Sequence, residues 1–87
     1  MIVLPRLVGT RERAVELIRP LIDRSPIIDA TATLSAAQGF VDELCKQLIE
    51  KRIDRVTFIS TSDKFQEYFM RAHMLRSGKF LVEFSSR

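Results

Sequence analysis

Three short polar stretches carry the residue types that could bind a ligand. Each stretch directly precedes an apolar pattern typical of a helix, and the unpaired backbone amides at a helix N-terminus attract anions. No glycine-rich loop of the nucleotide-binding kind accompanies them. The same hydroxyl groups are also ordinary helix caps, so the pattern predicts either a phosphate or nucleotide site or simple capping. The candidate ligand-binding residues are Thr10, Arg11, Ser35, Gln38, Gly39 and Ser62.

Catalytic chemistry has little support in the residue types and their spacing. Cys45 and His73 are the only cysteine and histidine, and they fall on different predicted helices. Cys45 lies near an apolar helix face, where cysteine is usually a small buried side chain. Asp42 and Glu43 point about 100° apart on a helix, so they cannot act on one atom, and we expect both to be solvated at the surface. The sequence predicts no enzymatic activity, no catalytic residue, no metal site and no cofactor.

Composition places the chain among ordinary globular domains. The 87 residues are 46% hydrophobic and 29% charged, with a formal net charge of +3. This length predicts one domain over residues 1–87. No apolar run approaches the roughly 18 residues that a membrane span needs. The lone cysteine and the lack of an apolar signal segment predict a cytoplasmic protein.

A small cluster of basic residues falls where the third predicted helix ends. Arg71, Arg76 and Lys79 are close in sequence there. Cations at a helix C-terminus complement the helix dipole, which explains them without a partner. We expect no nucleic-acid partner, and weak nucleic-acid binding through this helix end is kept as a second alternative function.

The first half of the chain predicts strand, helix and strand. Residues 2–8 are rich in strand formers around Pro5, so this strand should be short and either bent or at a sheet edge. Thr10 is the predicted N-cap of a helix that runs from Arg11 to about Arg19. The segment 25–30, "SPIIDA", predicts a buried strand of a parallel sheet.

The second half repeats the alternation. Ser35 and Gln38 form the pattern of a capping box, so the second helix is predicted to begin at Ser35. Residues 55–60 predict a third strand, and a third helix follows that ends at Gly78 as a left-handed C-cap. The segment "KFLVEF" predicts the last strand. The order β-α-β-α-β-α-β predicts an α/β fold with a mostly parallel four-stranded sheet packed by helices, whose capped turns share one edge. It leaves open whether the helices cover one face or both.

Two features suggest that the helices contact something more than the core. Gly39, four residues into the predicted second helix, costs about 1 kcal/mol relative to alanine, so a backbone or ligand is expected close to it. The third helix has more large apolar side chains than its core-facing side can bury. The surplus residues Tyr68, Met70 and Met74 predict an interface with a partner protein.

Part of the sequence resembles the STAS-like domain of unknown function found in small bacterial and phage proteins. The likeness spans about residues 9–75 and rests on "GTRERA", a strand that ends in Asp29, and "QGFVDEL". The matching positions are Thr10, Arg11, Ala14, Asp29, Gln38, Gly39, Phe40, Asp42, Glu43 and Leu44. The resemblance implies a compact α/β regulatory module that binds another protein. Ser35 occupies the region of the phosphorylatable serine of STAS domains, although this chain reads "LSAAQGF" without their Asp-Ser-Ser-Gly run.

These observations lead to one principal expectation and several alternatives. The principal one is a non-enzymatic, STAS-like regulatory module with a protein partner. The alternative is a binder of nucleotide or another phosphate ligand at the carboxyl edge of the sheet. A homodimer is also left open, because the short first strand leaves a sheet edge that a second copy could complete.

Overall fold

The computed structural model describes residues 1–86 and confirms a compact α/β fold with a parallel four-stranded sheet and three helices. The elements within these residues, in chain order, are β1 Ile2–Val3, β2 Leu7–Val8, α1 Arg11–Ile18, β3 Ile27–Asp29, β4 Ser35–Ala36, α2 Gln38–Glu50, β5 Arg55–Ile59, α3 Asp63–Leu75 and β6 Leu81–Ser85.

The main sheet has the strand order β1-β3-β5-β6, and every neighbouring pair is parallel. Ile28 pairs with Phe58, which pairs in turn with Phe84. Each strand of this sheet is connected to the next through one helix, and the chain moves across the sheet in one direction, from β1 to β6. Because such crossovers are right-handed, all three helices lie on one face. In agreement, α1 packs against α2, and α2 packs against α3. The fold therefore has two layers.

The two faces of the sheet differ in what covers them. On the helix-covered face, Ile28, Val56 and Phe58 are fully buried. The Phe58 ring contacts Phe65 and Phe69 of α3 edge-on, with ring centroids 5.3 and 4.7 Å away. The opposite face, which we call the open face, carries the alternate residues of each strand. These are Val3, Ile27, Asp29, Arg55, Thr57, Ile59, Leu81, Glu83 and Ser85.

The predicted first strand is divided in two at Pro5. Proline has no amide hydrogen to donate to a ladder, so pairing is interrupted there. On one side, the Leu4 amide donates to the Asp29 carbonyl oxygen at 2.8 Å. On the other side, β2 pairs with β4 in a separate two-stranded parallel sheet. The first strand is thus short, bent and at an edge, as the sequence predicted.

The second helix begins at Gln38, so the predicted start at Ser35 is wrong. Ser35 lies in β4 and pairs with Leu7, and the Ala37 amide donates to the Val8 carbonyl oxygen at 2.9 Å. This pairing holds the chain extended through the position where the capping box was expected. Ala37 occupies the N-cap position instead, and α2 begins without a side-chain cap.

The first helix begins as predicted, and the third begins within residues 60–63, where the sequence has a cluster of capping groups. The Thr10 hydroxyl accepts from the Arg13 amide at 3.2 Å at the start of α1. The Ser62 hydroxyl accepts from the Phe65 amide at 3.1 Å at the start of α3. Each cap satisfies one of the amides that a helix N-terminus leaves unpaired.

The end of α3 differs from the prediction in which residue is left-handed. Ser77 takes the left-handed conformation with φ of 55°, and Gly78 does not. The Gly78 amide donates to the His73 carbonyl oxygen at 2.8 Å, and the Ser77 amide donates to Met74 at 3.1 Å, which is a Schellman motif. Glycine is needed at 78 for space, because a Cβ there would lie 2.5 Å from Cδ2 of the His73 ring.

Candidate functional site

A surface cleft lies where the beginnings of α1 and α2 meet the outer part of α3. Its volume is about 230 Å³, and we call it the α2 cleft. Three of the six predicted ligand-binding residues, Arg11, Gln38 and Gly39, line it, together with Tyr68 from the predicted interface. The remaining lining residues are Asp42, Arg71, Ala72 and Leu75. The uncapped end of α2 and the Arg71 guanidinium, which is only loosely paired with Glu67 at 3.6 Å, could bind an anion there, whereas Arg11 is paired with Asp42.

Asp42 connects the three helices beside the cleft. Arg11 of α1 donates to its carboxylate at 2.7 Å, and Arg76, after α3, donates to the same carboxylate at 2.9 and 3.3 Å. The hydrogen bonds from Arg76 and then Arg11 lower the pKa of Asp42 below its ordinary value. The expectation that Asp42 is merely solvated at the surface is therefore wrong.

Glu43 is also not a surface residue. It is only 7% exposed, and the Gln47 side-chain amide donates to its carboxylate at 2.7 Å. The Arg11 guanidinium lies 3.7 Å from the other carboxylate oxygen. The prediction that Asp42 and Glu43 diverge is wrong, because both carboxylates lie within ion-pair distance of the same Arg11 nitrogen, at 2.7 and 3.7 Å. Local spacing contained no signal for this contact, since Arg11 is on another helix and more than 30 positions away in the chain.

Gly39 lies in the first turn of α2, since the helix begins later than predicted. The side chain nearest to Gly39 is that of Arg11. If Gly39 had a Cβ, the Arg11 Nε would lie 3.7 Å from it. That separation is ordinary van der Waals contact, so a small side chain fits. At this position a glycine costs less than in a helix interior and leaves the backbone amides of the cleft accessible.

The other predicted ligand-binding residues lie outside the α2 cleft. Ser35 and Ser62 line a second depression with Ser60 and Thr61, whose volume is about 20 Å³. That volume holds about one water molecule. Thr10 and Ser62 each cap a helix through their hydroxyl oxygens. Of the six candidates, three therefore lie in a cleft of ligand size, two cap helices, and Ser35 lies in strand β4.

The predicted interface residues of α3 do not form one surface. Tyr68 lines the α2 cleft. Met70 lies about 160° around the helix from Tyr68, because successive residues are 100° apart. Met70 and Met74 are 41% and 71% exposed. Both lie on the side of α3 away from α2.

Cys45 and His73 have separate structural surroundings. Cys45 is fully buried in the core, as predicted, and burial raises the pKa of its thiol to about 11. His73 Nε2 lies 3.0 Å from the Phe80 carbonyl oxygen, to which it donates, and its ring contacts the Phe80 ring edge-on. Over residues 1–86 no group of three His, Cys, Asp or Glu side chains is arranged to hold a metal ion.

The basic residues at the end of α3 are dispersed. Arg71 lines the α2 cleft, and Lys79 lines a depression with Arg24 and Asp54. Arg76 is bound to Asp42. The three cations thus lie in different surroundings instead of forming one basic cluster. Within the described residues, no helix combines the length and apolar character required to cross a membrane.

Comparisons of this chain with protein-family models, with curated proteins and with solved structures give no match. The functional interpretation of the α2 cleft and of the open face therefore rests on their own geometry and chemistry.

Proposed function

We propose that this chain is a non-enzymatic, cytoplasmic regulatory module of STAS-like type that binds a protein partner. The observation that supports this proposal best is the open face of the sheet. Val3, Ile27 and Leu81 are 61%, 39% and 62% exposed there. In a domain whose helices all lie on one side, the exposed apolar side chains of this face are available to contact another protein.

The charge pattern of the open face indicates the chemistry of the partner. Arg55 and Glu83 stand side by side on β5 and β6, with their charged groups 3.2 Å apart. Leu81 pairs with Arg55, and Ile27 and Glu83 both flank Thr57. A partner surface complementary to the open face is therefore apolar, with an acidic side chain opposite Arg55 and a basic side chain opposite Glu83. Such charges contribute more to specificity than to affinity.

The experiment is affinity capture with matched variants of the purified domain. The double variant Ile27→Asp with Leu81→Asp places charges on the open face, while Leu34→Asp changes an equally exposed leucine in the loop before β4. A partner that binds the wild type and Leu34→Asp, but not the double variant, supports the proposal. A partner retained by the double variant, or no saturable partner at all, contradicts it. Circular dichroism verifies that each variant is folded.

A second candidate function is phosphate or nucleotide binding in the α2 cleft. The observation that favours it is the convergence of Arg11, Arg71 and the uncapped N-terminus of α2 on one cleft. A ligand that binds only the folded state must raise the melting temperature with its concentration. We therefore expect ATP or pyrophosphate to raise the melting temperature of the wild type and of Arg13→Gln, but not of Arg71→Gln. Flat curves for the wild type reject this candidate.

A further inference from the structure

The strand β6 ends the sheet on one side with an unpaired backbone edge. The Leu81 amide donates to the Asp54 carbonyl oxygen, and the Ser85 carbonyl accepts from the Ser60 amide. In a parallel ladder alternate residues face the same neighbour, so Leu81, Glu83 and Ser85 direct their backbone groups toward β5. The amides and carbonyls of Val82 and Phe84 therefore point outward, and no hydrogen bond within residues 1–86 uses them.

The opposite edge of the sheet is unsuited to pairing. There β1 comprises only two residues, and Pro5 follows them closely. Natural proteins commonly protect sheet edges with such short strands and prolines. In contrast, β6 is five residues long and has neither lysine nor proline. Its one charge, on Glu83, is directed to the open face and paired with Arg55.

The exposed methionines of α3 lie on the same side of the molecule as the β6 edge. His73 contacts Phe80 just before β6, which shows which flank of α3 faces that strand. Met70 lies about 60° around the helix from His73, away from the core. Phe80, the residue before β6, contacts Phe69 and His73, so Met70 lies beside the first residues of β6.

We propose that a second copy of this chain binds at the β6 edge, in an antiparallel pair that forms one continuous eight-stranded sheet. The outward Val82 amide donates to the Phe84 carbonyl of the second copy, and the Phe84 amide of that copy donates back to the Val82 carbonyl. The two Glu83 residues then lie opposite one another at the axis, each beside its own Arg55. The two-fold axis is perpendicular to the sheet, so both sets of helices lie on the same face and the two α3 helices become neighbours. This partner covers the unpaired strand and the exposed methionines together, which a single added peptide strand does not.

The symmetric arrangement is also consistent with the charges of α3. The two helices run antiparallel, with Met70 of each copy near the axis. Glu67 is already within 3.6 Å of Arg71 on its own helix, so the favourable electrostatic contribution between the copies comes from the opposed helix dipoles. Because β1 is a poor edge, assembly stops at the dimer. The open face and the α2 cleft stay accessible, so the dimer is independent of the function proposed above.

The first test is the oligomeric state in solution, measured by sedimentation velocity. The contact is a strip about 17–20 Å long, which is the length of β6 and of α3. A strip of this length buries an area at the low end of the range for specific protein interfaces. We therefore expect a monomer–dimer equilibrium with a dissociation constant of roughly 10 µM. Wild-type protein that is still monomeric at roughly 500 µM overturns the proposal.

Two pairs of variants locate the interface. Val82→Pro removes an outward amide that the monomer does not use, and Val82→Ala keeps that amide as the control. Met70→Glu places like charges near the axis, and Leu34→Glu is its control at another exposed site. We expect Val82→Pro and Met70→Glu to weaken dimerisation at least ~10-fold, while both controls dimerise like the wild type. Undiminished dimerisation of Met70→Glu and of folded Val82→Pro would refute this geometry.

Discussion

The two faces of the sheet are made by the same strands, yet they differ in what they contribute. On the helix-covered face, Val56 and Phe58 are fully buried, and the packing of α3 on Phe58 forms the centre of the core. On the open face, Thr57 between them is only partly buried, and Leu81 is mostly exposed. The difference shows that this small domain derives its stability from one side of the sheet. The other side contributes little to the core and keeps large apolar side chains such as Leu81 exposed.

The largest expected difference between the faces concerns large apolar side chains. Phe58→Ala leaves a cavity among three aromatic rings, so we expect it to lower the free energy of unfolding by about 3–5 kcal/mol. Leu81→Ala removes a mostly exposed side chain, and its effect should stay within about 0.5 kcal/mol. Urea unfolding curves measure both. Similar losses for the two variants would mean that the open face is packed as tightly as the covered one.

An intermediate effect is expected at the turn that joins α3 to β6. Gly78→Ala drives a methyl group into the His73 ring on the covered side, and we expect a loss of about 1–3 kcal/mol. Ser77→Gly, at the neighbouring exposed residue, relieves a left-handed conformation and should raise stability by up to about 1 kcal/mol. Thermal unfolding of the two variants should thus show melting temperatures shifted in opposite directions. A neutral Gly78→Ala would show that the ring has room to move.

The smallest expected difference concerns the ion pairs of the two layers. Asp42, in the helix layer, has a lowered pKa because Arg76 and Arg11 bond its carboxylate. Its stabilising effect is therefore present above the unfolded-state pKa of about 4 and is lost as the pH falls through the folded-state pKa. We expect Asp42→Asn to cost about 1 kcal/mol at neutral pH and to flatten the acid limb of the stability curve.

The matched control on the open face is Glu83→Gln. Both Glu83 and its partner Arg55 are about half exposed, so the loss should be below about 0.5 kcal/mol. Chemical denaturation between neutral and acidic pH compares the two variants. If Asp42→Asn keeps the acid slope of the wild type, the ion pairs of Asp42 contribute nothing that depends on its ionisation.

Much of the fold was predictable from local patterns, and the errors have identifiable physical causes. The caps at Thr10 and Ser62 were predictable because each bonds an amide three residues away. Ser35 has the same signature, but its backbone pairs with β2, which is 28 positions earlier in the chain. The candidate site was predictable only in part. Arg11 and Gly39 lie together as expected, whereas the contact of Asp42 with Arg76 spans 34 positions and has no local signal.

By itself, the sequence determined the alternation of strands and helices, the parallel sheet, and the burial of Phe58 and Cys45. These properties follow from periodicity and from hydrogen bonds between near neighbours in the chain. Only the tertiary structure decided that Ser35 belongs to a strand, that Asp42 joins three helices and that one face of the sheet is open. Each of these depends on which distant segments meet, because a polar group bonds to whichever partner the packed chain brings within reach.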